Sequence, residues 1–312
     1  MPSMDVDSLP AFQVIPYQTA LPTGLAPANS PTDGIRVKLT SSWTYCGPPL
    51  ALHDQTLPPS FHTWAEQTIY GSLLPYLTPF LTFVHDFLAH NNLSHYWLTI
   101  RATKGTDEFD MPRWHTDDLF YKTDVQKEAA TSKPSKRKIM RRIGLAEKKS
   151  ANPLLDPSNI IPDETKWNLA TTLLGPGTLF LTSPIRARTM HNNIKQSIRD
   201  QNKDHVCPLV HCVGCATAAE NVRIRLAEEF RDYNYTQAQA GECTFFRVGD
   251  EEGAVHSEPP SHGDRIFVKV VPGGEEELRG LMRKWGMEFP RAWCVNLPLQ
   301  VGGVEASVRD VW

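Results

Sequence analysis

Long apolar runs are missing from this chain. No stretch approaches the roughly eighteen consecutive apolar residues that a membrane-spanning helix needs, so no spanning helix and no membrane partner is expected. Cysteine is scarce, with six residues in 312. That is too few for a disulfide-stapled scaffold, and reduced thiols in a cytoplasmic setting are expected. An excess of one charge is lacking too: 32 Lys and Arg stand against 35 Asp and Glu, a formal net charge of −3. Such a balance leaves no global footprint for nucleic acid or an anionic membrane. The first residues, Met1 to Asp7, are acidic and precede no apolar core, so a secretory signal is not expected.

What is present fits an ordinary globular protein, 40% hydrophobic and 21% charged. The length allows one decorated domain with a sizeable core. Residues 1–59 are rich in Pro, Ser and Thr without sustained periodicity and read as an N-terminal arm that wraps the core or is partly disordered, with Trp43, Tyr45 and Cys46 marking a packed portion. Residues 60–312 read as a single domain. From Ser60 to about His90, Trp64, Ile69, Leu73, Leu77, Phe80, Leu81, Val84, Phe87 and Leu88 recur at helical steps, and Pro75 and Pro79 are expected to divide the run into two or three helices. His95–Thr103 and Asp264–Val271 read as strands, rich in aromatic and β-branched residues. Glu275–Trp285 is a short helix, acidic first and basic last as the helix dipole prefers, and Phe289–Trp312 a tail packed on the core.

Two insertions, at about 121–166 and 184–240, interrupt this pattern. The first carries the basic run Lys133 to Arg142. A solvated loop is the favoured reading of such a run. A lid over an anionic substrate, a nucleic-acid contact and a nuclear-import signal at Lys136 to Arg142 are the alternatives, and without a second basic cluster a nucleic-acid partner is not expected. The second insertion carries Cys207, His211, Cys212 and Cys215. Plain small thiols are the favoured reading, because paired Cys-x2-Cys knuckles are missing. A structural zinc and an iron–sulfur cluster completed by Cys243 stay open. Thr217-x-x-Glu220 looks like a capping box starting a helix to about Asp232, and this insertion is expected to cover one end of the core.

The chemistry concentrates at Arg113-Trp114-His115-Thr116-Asp117 and at His256. Residues i and i+2 of an extended strand share a face, so His115 and Asp117 can grip one ion, and a distant histidine completes a facial set with open positions. Either motif alone is as easily a hydrogen-bonded histidine or a surface ion pair. Arg265 opens the Asp264–Val271 strand nine positions after His256 (265 − 256 = 9). In this order and spacing, the sequence over roughly residues 95–272 resembles the Fe(II)/2-oxoglutarate-dependent oxygenases, and Leu173–Leu181 looks like that family's strand–Gly turn–strand middle and Gly241–Gly249 like its strand just before the distal His.

The resemblance implies a mainly β, α+β fold with flanking helices around a double-stranded β-helix, a jelly-roll or cupin-like core. It implies Fe(II) held by His115, Asp117 and His256, and 2-oxoglutarate held through its distal carboxylate by Arg265. With O2 as co-substrate, the expected reaction is hydroxylation, desaturation or oxidative cyclisation of a small molecule, such as an amino acid or natural-product intermediate. Arg101, Arg113, Trp114, Asp118 and Tyr121 are the candidate substrate contacts. The rivals are a cupin-type metalloenzyme that does not use 2-oxoglutarate and a non-catalytic β-helix protein that recruits partners. Nothing in the sequence sets an oligomeric state.

Overall fold

A computed structural model of the chain describes residues 10–18, 34–52, 56–107, 111–118, 167–203, 205, 212–249, 251–260, 262–297, 299–301 and 304–306. Its fold is mixed α/β, with one large antiparallel sheet, smaller sheets and, among the described residues, five helices. The chain begins with β1 (Phe12–Pro16), β2 (Arg36–Val37), β3 (Ser41–Gly47), α1 (Pro59–Thr68), β4 (Ile69–Tyr70), α2 (Leu74–His90) and β5 (His95–Thr103). Its middle supplies β6 (Trp167–Leu174), β7 (Leu179–Leu181), α3 (Pro184–Gln201), α4 (Val213–Glu229), β8 (Tyr235–Gln237) and β9 (Glu242–Arg247). It finishes with β10 (His256–Ser257), β11 (Arg265–Gly273), α5 (Glu275–Lys284), β12 (Arg291–Val295), β13 (Leu299–Val301) and β14 (Val304–Ala306). None of the described helices is long and apolar enough to cross a membrane.

The large sheet has the order β1-β9-β6-β11-β5-β3-β12, with β11 at its centre. Side chains alternate across a strand, and β11 uses both faces. Ile266, Val268 and Val270 enter the main core beside Leu98 and Ile100 of β5 and Leu169 of β6, under a lid of Phe61 and Trp64 from α1 and Leu77, Phe80 and Val84 from α2. Arg265, Phe267 and Lys269 emerge on the other face by the same parity. A small sheet, β10-β7-β8, lies on that side, and its Phe180 packs with Phe246 and Ala170 of the large one. His115 adds a bridge to His256 at the edge of the small sheet. The α3–α4 pair covers the small sheet from outside, where Ala187, Ile194, Ile198, Leu226 and Phe230 meet Leu179, Leu181 and Val255. The turn between β6 and β7 requires glycine: Gly175 has φ +81°, and a Cβ there would lie 2.5 Å from the Asp264 carbonyl oxygen.

Several local expectations need correcting. Two described segments of the 1–59 arm are strands of the large sheet, β1 pairing with β9 and β3 with both β5 and β12. Pro79 does not end α2. Leu77, Phe80, Leu81, Val84, Phe87 and Leu88 bury one continuous stripe, which carries the helix past the lost hydrogen bond. Thr217 is internal to α4, which starts at Val213 with Cys212 as its N-cap and no side-chain cap. The last residues of the supposed 184–240 insertion form β8 and belong to the small sheet. The basic run, Tyr121, Cys207 and His211 lie outside the described residues.

Candidate metal centre

His115 and His256 are brought together by backbone pairing before any side chain acts. Each donates its amide N–H to the other's carbonyl at 2.9 Å, and the Arg113 N–H donates to Ser257 Oγ at 2.6 Å. The two imidazoles then lie with ring centroids 4.4 Å apart. Two residues on, the Asp117 carbonyl accepts the Gly249 N–H at 2.7 Å, which fixes the loop against the end of β9. Asp117 Oδ1 lies 3.9 Å from His115 Nε2 and 3.8 Å from His256 Nε2. All three donor atoms fall within 4.8 Å of one another, a His–Asp–His triad able to hold a metal ion.

The tautomers follow from the backbone. His115 Nδ1 donates to the Arg113 carbonyl at 2.7 Å and His256 Nδ1 to the Ala254 carbonyl at 2.9 Å. A carbonyl only accepts, so each Nδ1 carries a proton and each Nε2 lone pair is left for a ligand bond. Phe180 stacks on His256 with centroids 5.3 Å apart, and Phe246 lies at 4.9 Å. This burial, then the neighbouring His115, lowers the His256 pKa and keeps the ring neutral.

Asp117 divides its oxygens between two tasks. Oδ2 accepts a hydrogen bond from Asn168 Nδ2 at 3.0 Å and an ion pair from Lys269 Nζ. Oδ1 faces the histidines. Burial pushes the Asp117 carboxyl upward, but Lys269 and the histidines outweigh it and hold it well below the usual carboxylate range. Side-chain exposure is graded across the triad, 45% for His115, 18% for Asp117 and 7% for His256, so the site opens on the His115 side.

Arg265 is buried, at 4% exposure. Its Nε donates to the Pro176 carbonyl at 3.0 Å, and its Nη2 donates to Thr178 Oγ1 at 3.1 Å and more weakly to Thr172 Oγ1 at 3.5 Å. The guanidinium also lies over the Phe267 ring, 4.7 Å from its centroid. No carboxylate pairs with it among the described residues. Burial lowers its pKa to about 10, with Glu258 opposing the shift.

The other candidate residues divide. Arg101, opposite Phe267 across β5 and β11, is exposed and ion-paired with Glu258 at 2.8 Å. Arg113 is half-buried beside Ser257, and Asp118 is exposed next to the triad. Trp114 alternates to the other side and packs edge-on against Phe230, centroids 5.9 Å apart, in the cluster under α3 and α4. Tyr121 lies outside the described residues. Sequence reasoning missed Lys269 and Asn168. A signal for Lys269 exists, since it is the lone charge inside Ile266–Val271 and shares the parity of Arg265. The chain matches no protein-family model, and no curated protein matches it.

Proposed function

We propose that the protein is a non-haem Fe(II)- and 2-oxoglutarate-dependent oxygenase that oxidises a C–H bond of a small molecule, an amino acid or natural-product intermediate. The observation that carries this reading is the His115–Asp117–His256 triad facing the same inter-sheet space as a buried Arg265 without a carboxylate partner among the described residues. Two imidazoles and one carboxylate are the donor set suited to non-haem iron with open positions. A guanidinium offers a planar fork of donors that matches a carboxylate and keeps its charge. The strand order supports a double-stranded β-helix: β9-β6-β11-β5 of the large sheet faces the His115 segment, β10, β7 and β8 of the small one.

Bound iron would supply oxygen activation, coupling decarboxylation of 2-oxoglutarate to succinate with oxidation of the substrate. The protein's part is orientation and exclusion of water. Lys269 and Asn168 aim Asp117, the Arg113 and Ala254 carbonyls fix the two imidazoles, and Phe180 and Phe246 seal the site behind His256. Arg265, anchored by Pro176 and Thr178, binds the distal carboxylate of the co-substrate. Arg101 and Arg113 are the candidate contacts for a polar substrate entering on the His115 side.

A second reading, a cupin-type metalloenzyme without 2-oxoglutarate, draws support from the three neutral acceptors that already engage Arg265. Anaerobic titration separates the readings. A visible charge-transfer band on adding 2-oxoglutarate to the Fe(II) protein supports the oxygenase. Iron binding without the band supports the cupin enzyme. Failure to bind iron excludes both and leaves a non-catalytic protein.

A further inference from the structure

Apart from the triad, two thiols and an imidazole converge where α3 hands over to α4. His205 follows the end of α3, Cys212 is the N-cap of α4, and Cys215 lies in its first turn. His205 Nε2 is 3.2 Å from Cys212 Sγ and 3.5 Å from Cys215 Sγ, and the three ligand atoms lie within 4.8 Å of one another. We propose that His205, Cys212 and Cys215 hold a structural zinc ion that ties the end of α3 to the start of α4.

The spacing suits that ion. With Zn–S about 2.3 Å and Zn–N about 2.0 Å at tetrahedral angles, a sulfur and a nitrogen ligand lie about 3.5 Å apart. Thiolate and imidazole together select zinc over the hard cations, which prefer oxygen. The N-terminus of a helix also favours negative charge, and both sulfurs sit there. The three donors leave one tetrahedral position to a further ligand. Cys243 does not supply it as an iron–sulfur pattern would require, because it is buried in the main core and its thiol is pushed up by that burial.

Packing gives the ion a task. Leu226, near the C-terminal end, is the buried residue of α4, while Val213 at its start is 82% exposed. Along α3 the last buried residue is Ile198. Cys212 and Cys215 therefore start α4 ahead of the residues it packs, Ala218, Val222 and Leu226, while His205 lies beyond Ile198, and the cluster bridges the two helices there. A clamp at that end steadies the layer whose other end packs on Trp114, the neighbour of His115.

The test uses the reduced full-length protein, stripped by a chelator and titrated with Co(II), a spectroscopic stand-in for zinc. Expected is one equivalent that produces a near-ultraviolet thiolate-to-cobalt band and is displaced by zinc. The band should persist in His115→Ala, whose site contains no sulfur, and should be lost in the double variant Cys212→Ser, Cys215→Ser. Absence of a thiolate band in the parent protein overturns the proposal without reference to any variant. So does a band of unchanged intensity in the double variant.

Discussion

Lys269 and Asn168 hold the same oxygen of Asp117, and the other oxygen is thereby presented to His115 and His256. Groups that orient a metal ligand typically contribute 10- to 100-fold in affinity. Lys269→Met should accordingly weaken Fe(II) binding by about 10- to 100-fold, measured by anaerobic titration. Asn168→Ala should weaken it less, since Asn168 supplies a hydrogen bond without the ion pair that Lys269 adds. An unchanged dissociation constant in Lys269→Met would mean that Asp117 is aimed without its help.

His115→Ala and His256→Ala should both lose stoichiometric metal, yet differ in stability. His115 is nearly half exposed, so its loss should change the unfolding free energy of the metal-free protein by less than about 1 kcal/mol. His256 is packed between Phe180 and Phe246, and its truncation leaves a cavity worth about 2–4 kcal/mol. Urea unfolding of metal-free samples separates the two. Metal content equal to the parent in either variant would remove that histidine from the ligand set.

Arg265→Ala should weaken 2-oxoglutarate far more than iron. Stripping one partner from a buried ion pair costs about 3–5 kcal/mol, which corresponds to roughly two to four decades of affinity. Arg265→Lys should fall between, keeping charge but losing the fork. The readout is the 2-oxoglutarate dependence of the charge-transfer band at saturating Fe(II). If Arg265→Ala leaves that dependence unmoved, the co-substrate is held elsewhere or not at all.

Cys46 and Cys243 should resist alkylation in the native state. Burial pushes the Cys46 thiol up to about 12 and that of Cys243 up as well. At pH 8 only about 10⁻⁴ of Cys46 is then the reactive thiolate. Iodoacetamide labelling followed by peptide mass spectrometry should modify them only in denaturant. Rapid labelling of either in native buffer would reveal an opening of the core.

Parts of this architecture stand in the sequence because local pattern and tertiary packing agree. His95–Thr103 and the strand opened by Arg265 read correctly, since alternating β-branched and aromatic residues leave little alternative. His115, Asp117 and His256 were legible by spacing, and the structure unites them. Long-range pairing was not legible. Trp43 meets Cys294 across β3 and β12, and no local signal in a Pro-rich arm announces such a partner. The His205 cluster was legible only in part: Cys212 and Cys215 stood out by spacing, but their histidine lies outside that spacing, and only the meeting of α3 and α4 joins them. Lys269 was hidden because a lone lysine in an apolar strand reads as a solvated edge until β6 and β5 enclose that strand.

The alternation along β11 also governs which genetic changes this protein can accept. Its odd positions, Arg265, Phe267 and Lys269, serve the site, and its even positions, Ile266, Val268 and Val270, fill the core. A codon gained or lost within the strand would exchange the two sets, driving a guanidinium and an ammonium into the apolar layer while aliphatic groups line the inter-sheet space. The strand is bonded to neighbours on both sides, and its one register shift, against β6 at Ile266/Phe267, lies at its start and leaves the alternation beyond it regular. Variation in this strand is therefore confined to substitutions, and changes in chain length fall to the loops.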